Sequence, residues 1–177
     1  MTEFDDEING RLFYPDDFGL EVYEHSKHGY NAIIIEGPPG AGKSSMARFL
    51  NYVLNVHHPI YTLTTSRPFL DPSQVAISVM DFISQTDVRA ILDGSIFSAM
   101  LVSEPENATS KLGLYYDLIS LVEPLFVFVD ASVEDLKKCG KESEEVIVLQ
   151  KEKFSRVAAS LKAKEHAVLI FDRSSKL

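Results

Sequence analysis

Residues 37–44 read Gly-Pro-Pro-Gly-Ala-Gly-Lys-Ser, and their types and spacing specify one kind of chemistry. They fit G-x-x-x-x-G-K-[ST], a loop whose backbone N–H groups wrap around phosphates. On this reading Gly37, Pro38, Pro39, Gly40, Ala41, Gly42, Lys43, Ser44 and Ser45 hold the phosphates of a nucleotide. Gly40 and Gly42 let the chain turn tightly with no Cβ facing the ligand. Lys43 reaches the β- and γ-phosphates, and Ser44 sets its hydroxyl on Mg²⁺. The helix that follows adds the positive end of its dipole.

Such a loop needs a strand before it and a helix after it. Ala32-Ile33-Ile34-Ile35 is a short apolar run of the kind that forms a buried parallel strand, expected over 31–36. Over about 44–56 the residues Met46, Phe49, Leu50, Val53 and Leu54 share one face of a helix.

The strand-and-helix alternation continues. Pro59 to Thr64 reads as strand two, and Ser66-Arg67-Pro68 begins a loop. Pro72 could open a helix to about residue 85. Val88 to Leu92 reads as strand three, ending at Asp93-Gly94-Ser95. A helix is expected from there to about Val102, and another from Leu112 to Val122. Pro124 to Val129 is the most hydrophobic run and reads as a buried strand four. Ser132-Val133-Glu134-Asp135 has the form of a helix cap. Residues 140–145 read as polar and flexible, residues 146–165 as a helix, and Ala167 to Phe171 as strand five. The alternation, with the loop after the first strand, leads one to expect an α/β chain with a three-layer phosphate-loop (P-loop) NTPase fold: a five-stranded parallel sheet with helices on both faces. Ligands of such sheets sit at the C-terminal strand ends, which brings the loop, Arg67, Asp93 and Asp130 to one rim.

The whole chain bounds the remaining choices. Its 177 residues make a single domain over 1–177, with 1–29 as an N-terminal extension. No apolar run approaches the ~20 residues of a membrane span, and the acidic start (Glu3, Asp5, Asp6, Glu7) is the reverse of a secretory leader. A single cysteine, Cys139, forms no internal disulfide and fits a reducing, cytoplasmic setting; it reads as a plain helix-end residue. The net charge of −9 disfavours general nucleic-acid binding but not a nucleotide, whose charge the loop and Mg²⁺ meet locally. His25 with His28, and His57 with His58, read as solvated pairs.

A phosphate loop serves many activities. The chain has no Asn-Lys-x-Asp guanine signature and is short for a helicase or motor domain. Three segments, in order, resemble the deoxynucleoside kinase and thymidylate kinase family. Ile35-Glu36-Gly37 through Ser45 resembles its first strand and loop, including the acid before the first glycine. Leu92-Asp93-Gly94-Ser95-Ile96-Phe97-Ser98 resembles its acidic-Arg-Ser and aromatic-Ser segment. Glu123-Pro124 through Asp130-Ala131-Ser132-Val133-Glu134 is similar to its fourth strand and the following helix start. Residues 137–149 sit where that family carries its lid.

The resemblance implies an ATP- and Mg²⁺-dependent transfer of a phosphoryl group to a nucleoside or nucleoside monophosphate, in a protein that forms a homodimer. It implies catalytic roles for Lys43, Asp93, Arg67 and Lys141, with Ser44 and Asp93 at the metal. Asp93 would coordinate Mg²⁺ through water or act as general base. Arg67 would hold an acceptor phosphate, and Asp71 is a substitute carboxylate. Phe97, Phe69 and Tyr115 are candidates for base stacking, although such aromatics also build cores. In this implied frame Asp130 is structural.

The chain departs from the pattern in two places. Gly94 stands where the family has Arg, and the lid offers only Lys137, Lys138 and Lys141, which make no bidentate phosphate contacts. Two further readings therefore stand beside the first: a kinase for a modified base in DNA or another small metabolite, and a catalytically weak nucleotide-binding protein.

Overall fold

A computed structural model of the chain describes residues 24, 32–55, 61–64, 90–95, 97–98, 123–139 and 142–173. Within them β1 (Ala32–Glu36) leads through the loop into α1 (Lys43–Asn55). Then come β2 (Tyr61–Thr64), β3 (Ala90–Asp93) and β4 (Leu125–Asp130). α2 (Val133–Cys139), α3 (Glu144–Ala163) and β5 (Ala167–Asp172) complete the described chain.

The strands form one sheet in the order β2-β3-β1-β4-β5, and every pairing is parallel. β1 lies at its centre, which is why all five of its residues are buried. A strand covered on both faces has no solvent side, so it reads as a continuous apolar run. Each of its isoleucines stabilises the fold by about 1.5–3 kcal/mol on burial. Alternation then sorts the side chains. Ile33 and Ile35 join Met46, Phe49, Leu50 and Leu54 of α1 in the main core cluster, with Val127 and Val129 from β4. Phe128 and Ile170 point the other way and line a recess with Phe154 and Ala158 of α3. Thus α1 and α3 cover opposite faces, as right-handed crossovers require when the first leads back toward β2 and the second outward to β5.

Boundaries moved where caps rule. Residues 140–145, expected as flexible loop, include the start of α3. Ser143 is its N-cap and accepts a hydrogen bond from the Val146 N–H at 3.4 Å, and Glu144 and Glu145 fill the first turn. Polar composition here is a helix start, because capping hydroxyls and acids satisfy the exposed N–H groups and the dipole. The helix also stops short of 165. Glu165 adopts φ +64°, and the His166 N–H turns back to the Leu161 carbonyl at 3.1 Å. Within the lid-like stretch 137–149, residues 137–139 end α2 and residues 144–149 open α3, while 140–141 lie outside the described residues.

α2 starts as its sequence suggests. Ser132 Oγ accepts from the Asp135 N–H at 3.1 Å and donates to Asp135 Oδ2 at 2.8 Å. The cap aims Leu136 into the core beside Ala41, so this short helix braces the loop from beneath. Helices expected at 72–85 and 112–122 lie outside the described residues.

Candidate functional site

The parallel sheet sends Glu36, Thr64, Asp93, Asp130 and Asp172 to one edge as the last residues of their strands. β1 sends its connection over one face and β4 over the other, the arrangement that opens a crevice at the strand ends. Residues 37–42 lie at that point.

The loop is built from three glycines with positive φ: Gly37 (+151°), Gly40 (+81°) and Gly42 (+102°). Each conformation is one that side chains resist. At Gly37 the close neighbour is the sheet itself, since a Cβ there would stand 2.1 Å from the Val129 carbonyl oxygen. At Gly40 a second constraint joins the tight turn. Its absent Cβ would meet the Cβ of Cys139 at 3.0 Å, so the missing side chain makes room for α2. The Ala41 N–H closes the turn on the Pro38 carbonyl at 3.2 Å, and the Met46 N–H starts the helix on the Gly42 carbonyl at 2.9 Å. α1 carries no acid in its first turn. Its positive end is thus uncompensated by its own side chains, as suits an anion.

Lys43 arcs back over the loop. Its Nζ donates to the Gly37 carbonyl at 2.8 Å and the Pro38 carbonyl at 3.1 Å. Burial pushes its pKa down, and the negative charges of Glu36 and Asp93 oppose that shift. Ser44 is exposed at the helix start, Ser45 is half-buried, and Ala41 is packed in the core.

Asp93 is 2% exposed and ends β3 opposite Ile35 on one side and Thr64 on the other. The structure thus brings Lys43 and Asp93 together. Gly94 follows with φ +78° and donates its N–H to the Ile35 carbonyl at 3.0 Å. A residue with a Cβ would pay about 1 kcal/mol or more to adopt this conformation.

Sequence reasoning gave no role to Glu36, which the structure makes prominent. It is 0% exposed. Ser95 Oγ donates to its Oε1 and Ser98 Oγ to its Oε2, and the Ser98 backbone also hydrogen-bonds it. Burial raises its pKa from 4.5 to about 7, against the lowering influence of the Ser95 and Ser98 hydrogen bonds and the Lys43 charge. The available signal was its place: an acid ending a fully apolar central strand is buried with it, and a buried carboxylate requires donors.

Other candidates separate from the site. Phe97 is fully buried and meets Phe126 edge to face at 6.2 Å between centroids, so it belongs to the core and does not stack on a base. Asp130 accepts from Lys151 Nζ and the Ala131 N–H, at 2.7 and 2.8 Å, and ties α3 to β4. Lys137 pairs with Glu144 at 2.8 Å. Lys138 pairs with Glu134 at 3.3 Å and Asp135 at 3.4 Å. Arg67, Lys141, Asp71, Phe69 and Tyr115 lie outside the described residues.

The residues present fit a nucleotide and its metal. Lys43 lies over the loop, and the start of α1 that follows it carries no acid in its first turn. Among the described residues no group of three His, Cys, Asp or Glu side chains could hold a metal. Mg²⁺ at phosphates needs fewer, because it keeps several waters and takes one or two protein oxygens; Ser44 and Asp93 are the residues that could supply them.

No known protein family's profile matches the chain, and no curated protein is similar to it in sequence. Among solved structures it is similar to polyphosphate kinase 2 from Arthrobacter aurescens, with TM-score 0.47 and 11% identity over 88% of this chain and 66% of that one. It is also similar to the YorR protein of Bacillus subtilis, solved in complex with phosphorylated GDP. There the TM-score is 0.53 and the identity 20%, over 81% of this chain and 85% of that one. The chain therefore shares its fold with YorR.

Proposed function

We propose that this protein transfers the γ-phosphoryl group of ATP to a nucleoside or nucleoside monophosphate. The observation that carries the reading is the convergence of Lys43 and Asp93, a cation on the phosphate loop and a buried carboxylate at a neighbouring strand end. That YorR, which shares this fold, was solved in complex with phosphorylated GDP supports a nucleotide ligand here.

Residues 37–45 would seat the donor phosphates. Lys43 would exchange its two loop carbonyls for phosphate oxygens, which restores full charge pairing to a partly buried ammonium. Ser44 and Asp93 would hold Mg²⁺, which when bound neutralises charge on the phosphates. The acceptor hydroxyl or phosphate oxygen forms its bond to phosphorus as the bridging oxygen of ADP leaves. With a hydroxyl acceptor, the proton passes to Asp93 or a phosphate oxygen. Such transfers ask the protein mainly for position and charge neutralisation. Arg67 would bind an acceptor phosphate and Lys141 would act from the lid.

One observation favours a second reading, a catalytically weak nucleotide-binding protein. Lys137 and Lys138 are spent on Glu144, Glu134 and Asp135, and Gly94 supplies no cation. The test is a panel of nucleosides, nucleoside monophosphates and oligonucleotides incubated with γ-labelled ATP. The proposal expects label on a free nucleoside or monophosphate. Label on DNA alone, or tight ATP binding with no transfer, contradicts it.

A further inference from the structure

Glu36 is fully buried, and both of its carboxylate oxygens are taken by side chains of the segment after β3. Four contacts fasten the segment after β3 to the strand that carries the loop, one of them the Ser98 backbone hydrogen bond to Glu36. Ser95 and Ser98 each give a hydroxyl to one carboxylate oxygen. The Gly94 N–H binds the Ile35 carbonyl at 3.0 Å. Within the segment, Ser95 Oγ also accepts the Phe97 N–H at 3.4 Å, and Phe97 anchors it to the core on Phe126. Asp93 sits immediately before these contacts and Gly37 immediately after Glu36. A simple filler at residue 36 would have been apolar, since the site is dry and a buried acid costs stability. A carboxylate there gains only what its two oxygens can grip.

We propose that Glu36 is a positioning residue: through Ser95 and Ser98 it locks the Asp93 segment to the phosphate loop. The separation between Asp93 and the loop's Lys43 and Ser44 is thereby fixed before any ligand arrives. This rests on the reading of residues 37–45 as a phosphate site. Asp93 then meets the Mg²⁺ of a bound nucleotide without rearrangement, and groups that orient a metal's ligands in this way are worth on the order of tenfold or more in metal affinity.

The experiment has two readouts. Amide hydrogen exchange of the free protein compares wild type with Glu36→Ala, and exchange at residues 94–98 should accelerate on the order of tenfold while β4 keeps its protection. Binding of a fluorescent ATP analogue is then measured with and without Mg²⁺. Wild type should bind more tightly with Mg²⁺, and Glu36→Ala should lose about tenfold of that gain while metal-free affinity stays within about twofold. If Glu36→Ala does not fold, Ser98→Ala takes its place and should lose part of the gain, with Ser98→Thr restoring it. Unchanged exchange at 94–98, or an unchanged Mg²⁺ gain, overturns the proposal. A wild type that binds no analogue at all instead sinks the phosphate-site reading, and the exchange comparison still decides whether Glu36 locks the segment.

Discussion

Replacing Glu36 by Gln should stabilise the protein, increasingly so as pH rises from about 4.5 through 7. The carboxyl is fully buried and its pKa is raised from 4.5 to about 7. Below pH 4.5 both the folded and the unfolded chain carry the proton, and the residue has no linkage effect. Between pH 4.5 and 7 the unfolded chain ionises while the folded chain stays protonated. The folded state then binds more protons, so stability falls as pH rises. Above about pH 7 both are ionised and the penalty is complete, at about 3 kcal/mol for a displacement of this size. Glutamine keeps the shape, never ionises, and has both an acceptor and a donor for two rotatable hydroxyls. Urea unfolding at 25 °C, run on both proteins across the range, isolates this residue because other titrations largely cancel in the difference. The variant's advantage should widen by about 2 kcal/mol from pH 5.5 to pH 8, most of it between pH 5.5 and 7. A difference that is flat with pH, or that shifts toward wild type as pH rises, would refute the reasoning. Glu36 would then ionise without penalty and could not be as dry as its surroundings make it.

Two other substitutions probe the scaffold under the site. Gly37→Ala places a Cβ 2.1 Å from a backbone oxygen of β4, a clash that neither strand nor loop relieves without moving. It should cost about 2 kcal/mol or more in chemical denaturation, and wild-type stability for this variant would contradict the loop geometry. Ser132→Ala removes the cap of α2 and should cost about 1 kcal/mol, read as a lowered thermal midpoint. Because α2 braces the loop through Leu136, the variant should also bind an ATP analogue more weakly. Loss of stability with unchanged affinity would uncouple the brace from the site.

What was legible in the sequence was local. The phosphate loop announces itself because its glycines, Lys43 and Ser44 keep fixed spacing, and β1 and β4 because a buried parallel strand leaves an unbroken apolar run. Ser132 and Asp135 identify a cap by the same short-range logic. What escaped reading depends on contacts between distant segments. The partner of Gly40 is Cys139, about a hundred residues away in sequence, so the glycine's purpose could not be read from the loop alone. Ser95 and Ser98 appear in the sequence only as motif letters, and their meaning is the carboxylate they grip 59 and 62 residues earlier. Glu144 and Glu145 looked like a solvated charge run because a capped helix start and a polar loop have similar composition. Lys137 looked available to a phosphate until the fold set it beside Glu144.

The most direct measurement is a crystal structure of the protein with Mg²⁺, a non-hydrolysable ATP analogue and a mixture of nucleosides and nucleoside monophosphates. The account predicts the triphosphate within residues 37–45, Lys43 Nζ on phosphate oxygens in place of the Gly37 and Pro38 carbonyls, and Asp93 facing the metal with an acceptor beyond it. A triphosphate bound away from the loop, or Asp93 facing neither metal nor acceptor, would contradict it.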